Sequence, residues 1–469
     1  MCGRTDRILP FWVGMAAAVV LTLGTIAESS AADAIMDIEL LASATADECF
    51  VESGNPLNTW YGAADWPGAC DIGTNAEPKV NQAYIWGLTL CGDVVWFGTA
   101  ANPACIVAGT YLGTPTPGGD ASSVCEFGVS QFGPAATLPE AYRDWRPPDL
   151  FAYDTLTDTL IPLNGKVDLD PDGFARRWNT LGIRSAGCHN GVVFLAGPVL
   201  PAGFLDTPNA INVFAFDADS REFLGSTTLE GYINIRSWVV ARDNLYTGVQ
   251  TMLRTGEVLK WTGDKANPFQ FQTVGYLPSE PASFCEHEGR LLCTTWPGLL
   301  RQGASLWMSP RIPNGGLTRW HSLWWRELWS SDEYEPDELL NATYGGGPVA
   351  SFDGCIFWGT MHVPYLGYQL YTSLYGVPET PQEQELLYLN THRATSVFRG
   401  ALVRRPGLWG WLAPDFEYDL LYGEAEFSVG TNPELGVAGW ETVPNNMGGV
   451  APLYGPMGFE PCPYPAPYD

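Results

Sequence analysis

The hydrophobic pattern along the chain is one of short alternating runs broken by turns, and it repeats. LGIRSAGCHNGVVFLAG at 181–197 and INIRSWVVARDNLYTG at 233–248 share an Ile-Arg-Ser opening, an apolar run, a polar turn and a second apolar run closing on Gly. Related segments are AYIWGLTLCGDVVWFGT at 83–99, ASFCEHEGRLLCTT at 282–295 and PVASFDGCIFWGT at 348–360. The turn residues between the runs (CGD, CHNG, ARDN, EHEG, FDG) tolerate positive φ, so each segment predicts a tight β-hairpin. A third strand follows each hairpin, at 149–154, 211–217, 257–261, 305–309 and 368–372. Fainter fourth strands fall at 157–163, 269–277 and 319–325, and the stretches 418–431 and 439–443 read as a last unit.

Taking Gly98, Ala196, Gly248, Thr294 and Gly359 as equivalent gives steps of 98, 52, 46 and 65 residues. A period near fifty with four strands per unit is the signature of propeller blades. The expectation is an all-β chain forming a single β-propeller of six or seven four-stranded blades over 83–469. Residues 100–148 read as an insertion within one blade, and a strand from the 32–82 segment is available to close the ring and cover an exposed sheet edge.

Arg4 and Arg7 precede an apolar run from Phe11 to Ile26, with small residues at Ser29–Ala32. Residues 1–31 therefore read as a secretory signal peptide, and helix is expected almost nowhere else. A secreted or periplasmic location accounts for the cysteines: ten of the eleven follow the signal peptide. Even parity and the lack of any CxxC pair favour disulfides over metal thiolates. Local pairs at Cys49–Cys70, Cys105–Cys125 and Cys285–Cys293 are plausible, with no thiol left free. No later segment is long and apolar enough to predict a membrane span.

Twenty-four basic against 52 acidic residues give a net charge of −28. Nucleic acid and anionic membranes are therefore poor partners for the molecule as a whole.

On these repeats the chain resembles the kelch-like and YncE-like exported bacterial β-propellers. The resemblance implies a fold and no catalytic residues. It also implies that ligands meet the face where innermost strands begin, and that the first hairpin turns point to the other face. Three residues then align twelve positions before the closing residue of their blades: Trp86, Arg184 and Arg236. Two guanidiniums side by side suit bidentate capture of a carboxylate, sulfate or phosphate. The alternative is that each pairs with an internal carboxylate and orders the inner strands. Trp86 and Trp296 are the candidates for ligand stacking.

Among the histidines, His189 and His287 fall in first-hairpin turns and are expected to be solvated. His362 should face the mouth, the one candidate acid or base with an ordinary pKa near neutrality. DLDPDG at 168–173 matches the start of a calcium loop, making Asp168, Asp170 and Asp172 candidate ligands, although Asn179 stands where a bidentate Glu is expected. The chain carries no G-x-S-x-G, Walker, H-E-x-x-H or strand-linked G-x-G-x-x-G motif. Two readings remain open: a propeller that binds an anionic small molecule, glycan or protein segment, or a hydrolase or lyase acting on a uronate or lactone.

Overall fold

The two-residue hairpin turns organise the architecture. In the computed structural model of the protein, Asn190–Gly191, Arg242–Asp243, Glu288–Gly289 and Asp353–Gly354 all have positive φ, between 46° and 75°. Such turns match the right-handed twist of the strands they join. The structure describes residues 39–423 except 63, 72–74, 108–121, 201–209, 299–302, 336, 363, 392, 394 and 404–413. The expected signal peptide and the 439–443 strand lie outside the described residues.

A small sheet comes first, of β1 (Glu48–Phe50), β2 (Thr59–Trp60) and β3 (Glu77–Lys79) in the order β2-β1-β3. Five four-stranded antiparallel meanders follow. They are β4 (Tyr84–Cys91), β5 (Val94–Ala100), β6 (Leu150–Asp154) and β7 (Thr159–Pro162); β8 (Ser185–His189), β9 (Val192–Pro198), β10 (Ala210–Asp217) and β11 (Phe223–Glu230); β12 (Tyr232–Ala241), β13 (Asn244–Thr251), β14 (Gly256–Trp261) and β15 (Phe271–Leu277); β16 (Pro281–His287), β17 (Arg290–Thr295), β18 (Ser305–Met308) and β19 (Arg326–Ser330); and β20 (Tyr344–Phe352), β21 (Cys355–His362), β22 (Val397–Val403) and β23 (Asp415–Tyr422). The first strands pack in succession, β4 on β8, β8 on β12, β12 on β16 and β16 on β20. That is blade order around a propeller, and the core lies between blades. One cluster joins Trp96 and Leu150 of the first blade to Val193, Leu195 and Phe214 of the second. Another joins Leu306 and Trp329 of the fourth to Trp358 and Phe398 of the fifth.

The fold class is thus the expected one, with six sheets among the described residues, five of them four-stranded. Several elements differ from expectation. Helices occur at α1 (Pro103–Val107), α2 (Asn164–Asp168), α3 (Pro171–Arg177), α4 (Glu338–Asn341), α5 (Pro364–Tyr375) and α6 (Pro381–Asn390), so helix is not confined to the N-terminus. The stretch 368–372, read as a third strand, lies in α5, and β22 takes that place after α6. Residues 319–325 form a 3₁₀ turn and loop, and the fourth strand is β19. The start of the expected last unit, 418–422, completes the fifth blade as β23. No helix among the described residues is long and apolar enough to cross a membrane.

The N-terminal strands pair with one another and pack beside the 100–148 insertion, which does interrupt the first blade between β5 and β6. A buried ionic cluster joins the two. Lys79 Nζ lies 2.8 Å from Glu126 Oε2 and 2.9 Å from Asp144 Oδ1, and Arg146 Nη2 lies 2.8 Å from both Glu48 and Glu126. Burial opposes charge on Glu126, but Lys79 and Arg146 overcome it and hold its pKa below the usual range. Burial prevails at Asp144, whose pKa is pushed up to about 6.

Disulfides Cys49–Cys70 and Cys105–Cys125 form as expected. A third, Cys91–Cys188, ties the ends of β4 and β8 across neighbouring blades. Cys285–Cys293 does not form. Cys285 pairs in register with Leu292, and Cys293 with Phe284, so the two thiols point to opposite faces of one hairpin.

Candidate functional site

Four of the five innermost strands, all but β8, carry a bulge near the same point of the blade, and Trp86 and Arg236 sit there. In β4, Ile85 pairs with Thr99 and Gly87 with Gly98, leaving Trp86 without a partner. In β12, Arg236 and Ser237 lie between the Ile235–Val249 and Trp238–Thr247 pairs. Arg184 precedes β8, its backbone N–H donating to Ala196 at 2.8 Å. Bulges turn side chains out of the sheet's regular alternation. Here they turn aromatic and cationic side chains toward neighbouring blades.

Trp86, Arg184, Arg236 and Trp296 are joined by two residues that the alignment passed over. The Arg184 guanidinium carbon sits 4.7 Å from the Trp86 ring centroid, and Arg184 Nη1 donates to Asn234 Oδ1 at 2.7 Å. Asn234 Nδ2 donates to Glu280 Oε1 at 2.6 Å. The same Glu280 oxygen accepts from Arg236 Nε at 2.5 Å, and the Arg236 guanidinium carbon stands 4.0 Å from the Trp296 ring centroid. A continuous chain of contacts thus runs Trp86–Arg184–Asn234–Glu280–Arg236–Trp296 across four blades. Asn234 and Glu280 are buried. Each cation lies on an aromatic face, which suits the weakly hydrated guanidinium plane.

For Arg236 the internal-carboxylate alternative holds, with Glu280 as its partner. Arg184 donates to the Asn234 amide oxygen. Asn234 links Arg184 to the carboxylate that Arg236 contacts directly.

The tryptophans play a different part from the one expected. Their faces carry the protein's own guanidiniums. A Cβ at Gly345 would lie 3.1 Å from the Trp296 ring, so the fifth blade closes on that ring as well. Asn234 and Glu280 also align by counting, although counting does not show what they touch. Each stands fourteen residues before the closing residue of its blade, two before the position that aligned the arginines.

The remaining candidates lie elsewhere. His362 ends β21, is buried, and packs edge-on against Tyr344 with ring centroids 5.2 Å apart, outside the chain of contacts. His189 and His287 are not solvated as expected. His189 is half-buried, with its ring edge against Trp261. His287 is buried, its Nδ1 is 2.8 Å from Ser351 Oγ, and burial pushes its pKa down to about 4.

Asp168, Asp170 and Asp172 are split among other tasks. Asp168 clasps Arg177 through both oxygens, with Nε at 2.9 Å and Nη2 at 2.6 Å. Asp170 is the N-cap of α3 and accepts from the Asp172 N–H, while Asp172 faces Arg176 at 3.8 Å. DLDPDG is here a helix-to-helix turn whose Asp-Pro pair starts α3. Among the described residues the three carboxylates do not converge on a common point; the one close grouping of potential metal ligands is Cys105, Cys125 and Asp144, whose cysteines are disulfide-bonded.

No family model matches the chain, and no curated protein does. Solved structures similar to it include an exo-β-1,3-galactanase from Phanerochaete chrysosporium, with 8% identity over 60% of this chain and 57% of that one, at a TM-score of 0.31. Another is the β-propeller domain of the Trilobed protease from Pyrococcus furiosus, with 11% identity over 60% of this chain and 66% of that one, at a TM-score of 0.30. The chain thus matches less than two thirds of the length of either structure. Likeness at this level carries no functional argument, and the propeller assignment rests on the sheet topology above.

Proposed function

We propose that this is an exported propeller of the kelch-like, YncE-like sort that binds a carboxylate-bearing ligand, a small organic acid or an acidic sugar unit of a glycan, at the mouth formed by Arg184, Asn234, Glu280 and Arg236. One observation supports the reading most: Arg184 and Arg236 stand in one chain of contacts, each stacked on a tryptophan face, in a chain whose overall charge is −28. Stacking on Trp86 and Trp296 orients both cations beforehand, and such preorganisation lowers the entropy cost of capturing a planar anion.

A hydrolase or lyase acting on a uronate or lactone would need an acid and a base beside the arginines, and Glu280 is engaged there by Arg236 and Asn234. His362, its best candidate, is packed against Tyr344 instead. Binding is therefore the reading we adopt.

Calorimetry and thermal shift with glucuronate, galacturonate and citrate test it. Wild type should bind at least one of them and melt higher in its presence. Arg184→Met should lose the binding while remaining folded, as its melting curve without ligand would show. No binding by wild type, or unchanged binding by Arg184→Met, overturns the proposal.

A further inference from the structure

Outside the mouth, one surface feature stands apart in composition and exposure. The connection from β18 to β19 exposes Trp320 at 80%, Leu323 at 83% and Trp324 at 72%. The 3₁₀ turn Arg319–His321 is extended by a bond from Trp324 N–H to the His321 carbonyl at 3.0 Å. Residues three apart eclipse in such a turn, so Trp320 and Leu323 share a face with Trp324 beside them. At about 200 Å² for each aromatic, the patch is on the order of 500 Å². Patches of that size on a protein surface mark interaction sites.

This apolar knob is built, not loose. Thr318 caps the turn in a reciprocal capping box with His321. Trp325 is buried and donates to the Val274 carbonyl at 3.1 Å. The Leu317 N–H donates to the Tyr246 hydroxyl at 2.9 Å. The exposed side chains thus project from a fixed base.

Charge narrows the partner. From Ser309 to Arg326 the chain has no Asp or Glu, and Arg311, Arg319 and Arg326 are all exposed. In a protein with 52 acidic residues this is a local reversal of sign around the apolar knob. Tryptophan and leucine ringed by arginine fit the headgroup boundary of an anionic bilayer, where indole and guanidinium both find polar and apolar surroundings. At physiological salt the screening length is about 8 Å, so carboxylates beyond that distance do not cancel attraction at the knob, and exposed Glu327 offsets only its neighbour Arg326.

The knob also lies at the end of the blades opposite the mouth. The Ile312 N–H donates to Gly289, in the first hairpin turn of its own blade, and Lys260 Nζ donates to the Gly315 carbonyl. Glu280, by contrast, immediately precedes β16 and Trp296 immediately follows β17, at the other end of that blade from the Glu288–Gly289 turn.

We propose that Trp320, Leu323 and Trp324, flanked by Arg311, Arg319 and Arg326, dock the protein on an anionic phospholipid surface while its mouth faces solution. This does not depend on what the mouth binds. Flotation with vesicles of equal parts phosphatidylglycerol and phosphatidylcholine tests it, at about 0.15 M salt. Wild type should float with these vesicles and much less with pure phosphatidylcholine. Trp320→Ser/Leu323→Ser/Trp324→Ser should cut the floated fraction about tenfold with an unchanged melting temperature. Arg311→Ser/Arg319→Ser should remove the preference for anionic lipid. Three results would overturn the proposal: no flotation of wild type, flotation unaffected by the triple substitution, or a wild-type dimer that the triple substitution converts to monomer without any vesicle binding.

Discussion

Arg236 is held between Glu280 and Trp296, its Nε 2.5 Å from the carboxylate and its guanidinium carbon 4.0 Å from the indole centroid. All three residues belong to the facing edges of the third and fourth blades, so the contact serves blade packing as well as any ligand. Glu280 is the pivot. It also accepts from Asn234, which in turn receives Arg184.

Removing that pivot should therefore be costly. Glu280→Ala leaves Arg236, whose side chain is only 14% exposed, without its partner. We expect a loss of about 3 kcal/mol in urea unfolding, the lower end of the range for breaking a buried pair. Glu280→Leu combined with Arg236→Met should recover most of it. Equal losses in the single and double variants would show that packing, not charge, dominates the site.

The Cys91–Cys188 bridge spans a sequence separation of 97 residues and links the first strands of two blades. Closing a loop of that length removes denatured-state entropy worth about 4–5 kcal/mol. Cys91→Ala/Cys188→Ala should lower unfolding free energy by that order, measured under non-reducing conditions so that the other bridges persist.

Free thiols should be present but masked. Burial pushes the Cys285 thiol up to about 12 and raises the Cys293 thiol well above its ordinary value as well. Native protein should resist alkylation of both at pH 8, since the thiolate is the reactive form. Unfolding without reductant should expose at least two labelled cysteines, identified as Cys285 and Cys293 by peptide mapping.

Asp149 gives the fold a pH dependence with a definite sign. Burial raises its pKa from 3.8 to about 6, opposed in part by the hydrogen bond from Asn164. Between those values the folded state binds the proton and the unfolded state does not. The contribution is therefore fully present below about pH 4 and lost as pH rises through about 6. Asp149→Asn should show a smaller gain in stability than wild type when pH is lowered from 7 to 5. Urea midpoints at the two pH values measure it.

What the chain encodes locally could be read from it directly. Asn190–Gly191, Glu288–Gly289 and Asp353–Gly354 announce hairpins because their backbone conformation is set by two adjacent residues. Cys49–Cys70 and Cys105–Cys125 were readable because nearby cysteines meet often. The blade period emerged because each hairpin repeats one local solution. Other features depend on partners far along the chain. Cys285 and Cys293 are near in sequence but part to opposite faces of one hairpin, because strand side chains alternate with period two. Cys91 finds Cys188 because blades stack side by side. The two helices α5 and α6 displace a third strand to 397–403, since packing against Leu339 and Leu340 outweighs the β-like pattern of YQLYT. Arg184 and Arg236 could be aligned by counting, but what faces them could not. Asn234 and Glu280 reach them from neighbouring blades, across a distance that only assembly of the sheets brings within a hydrogen bond.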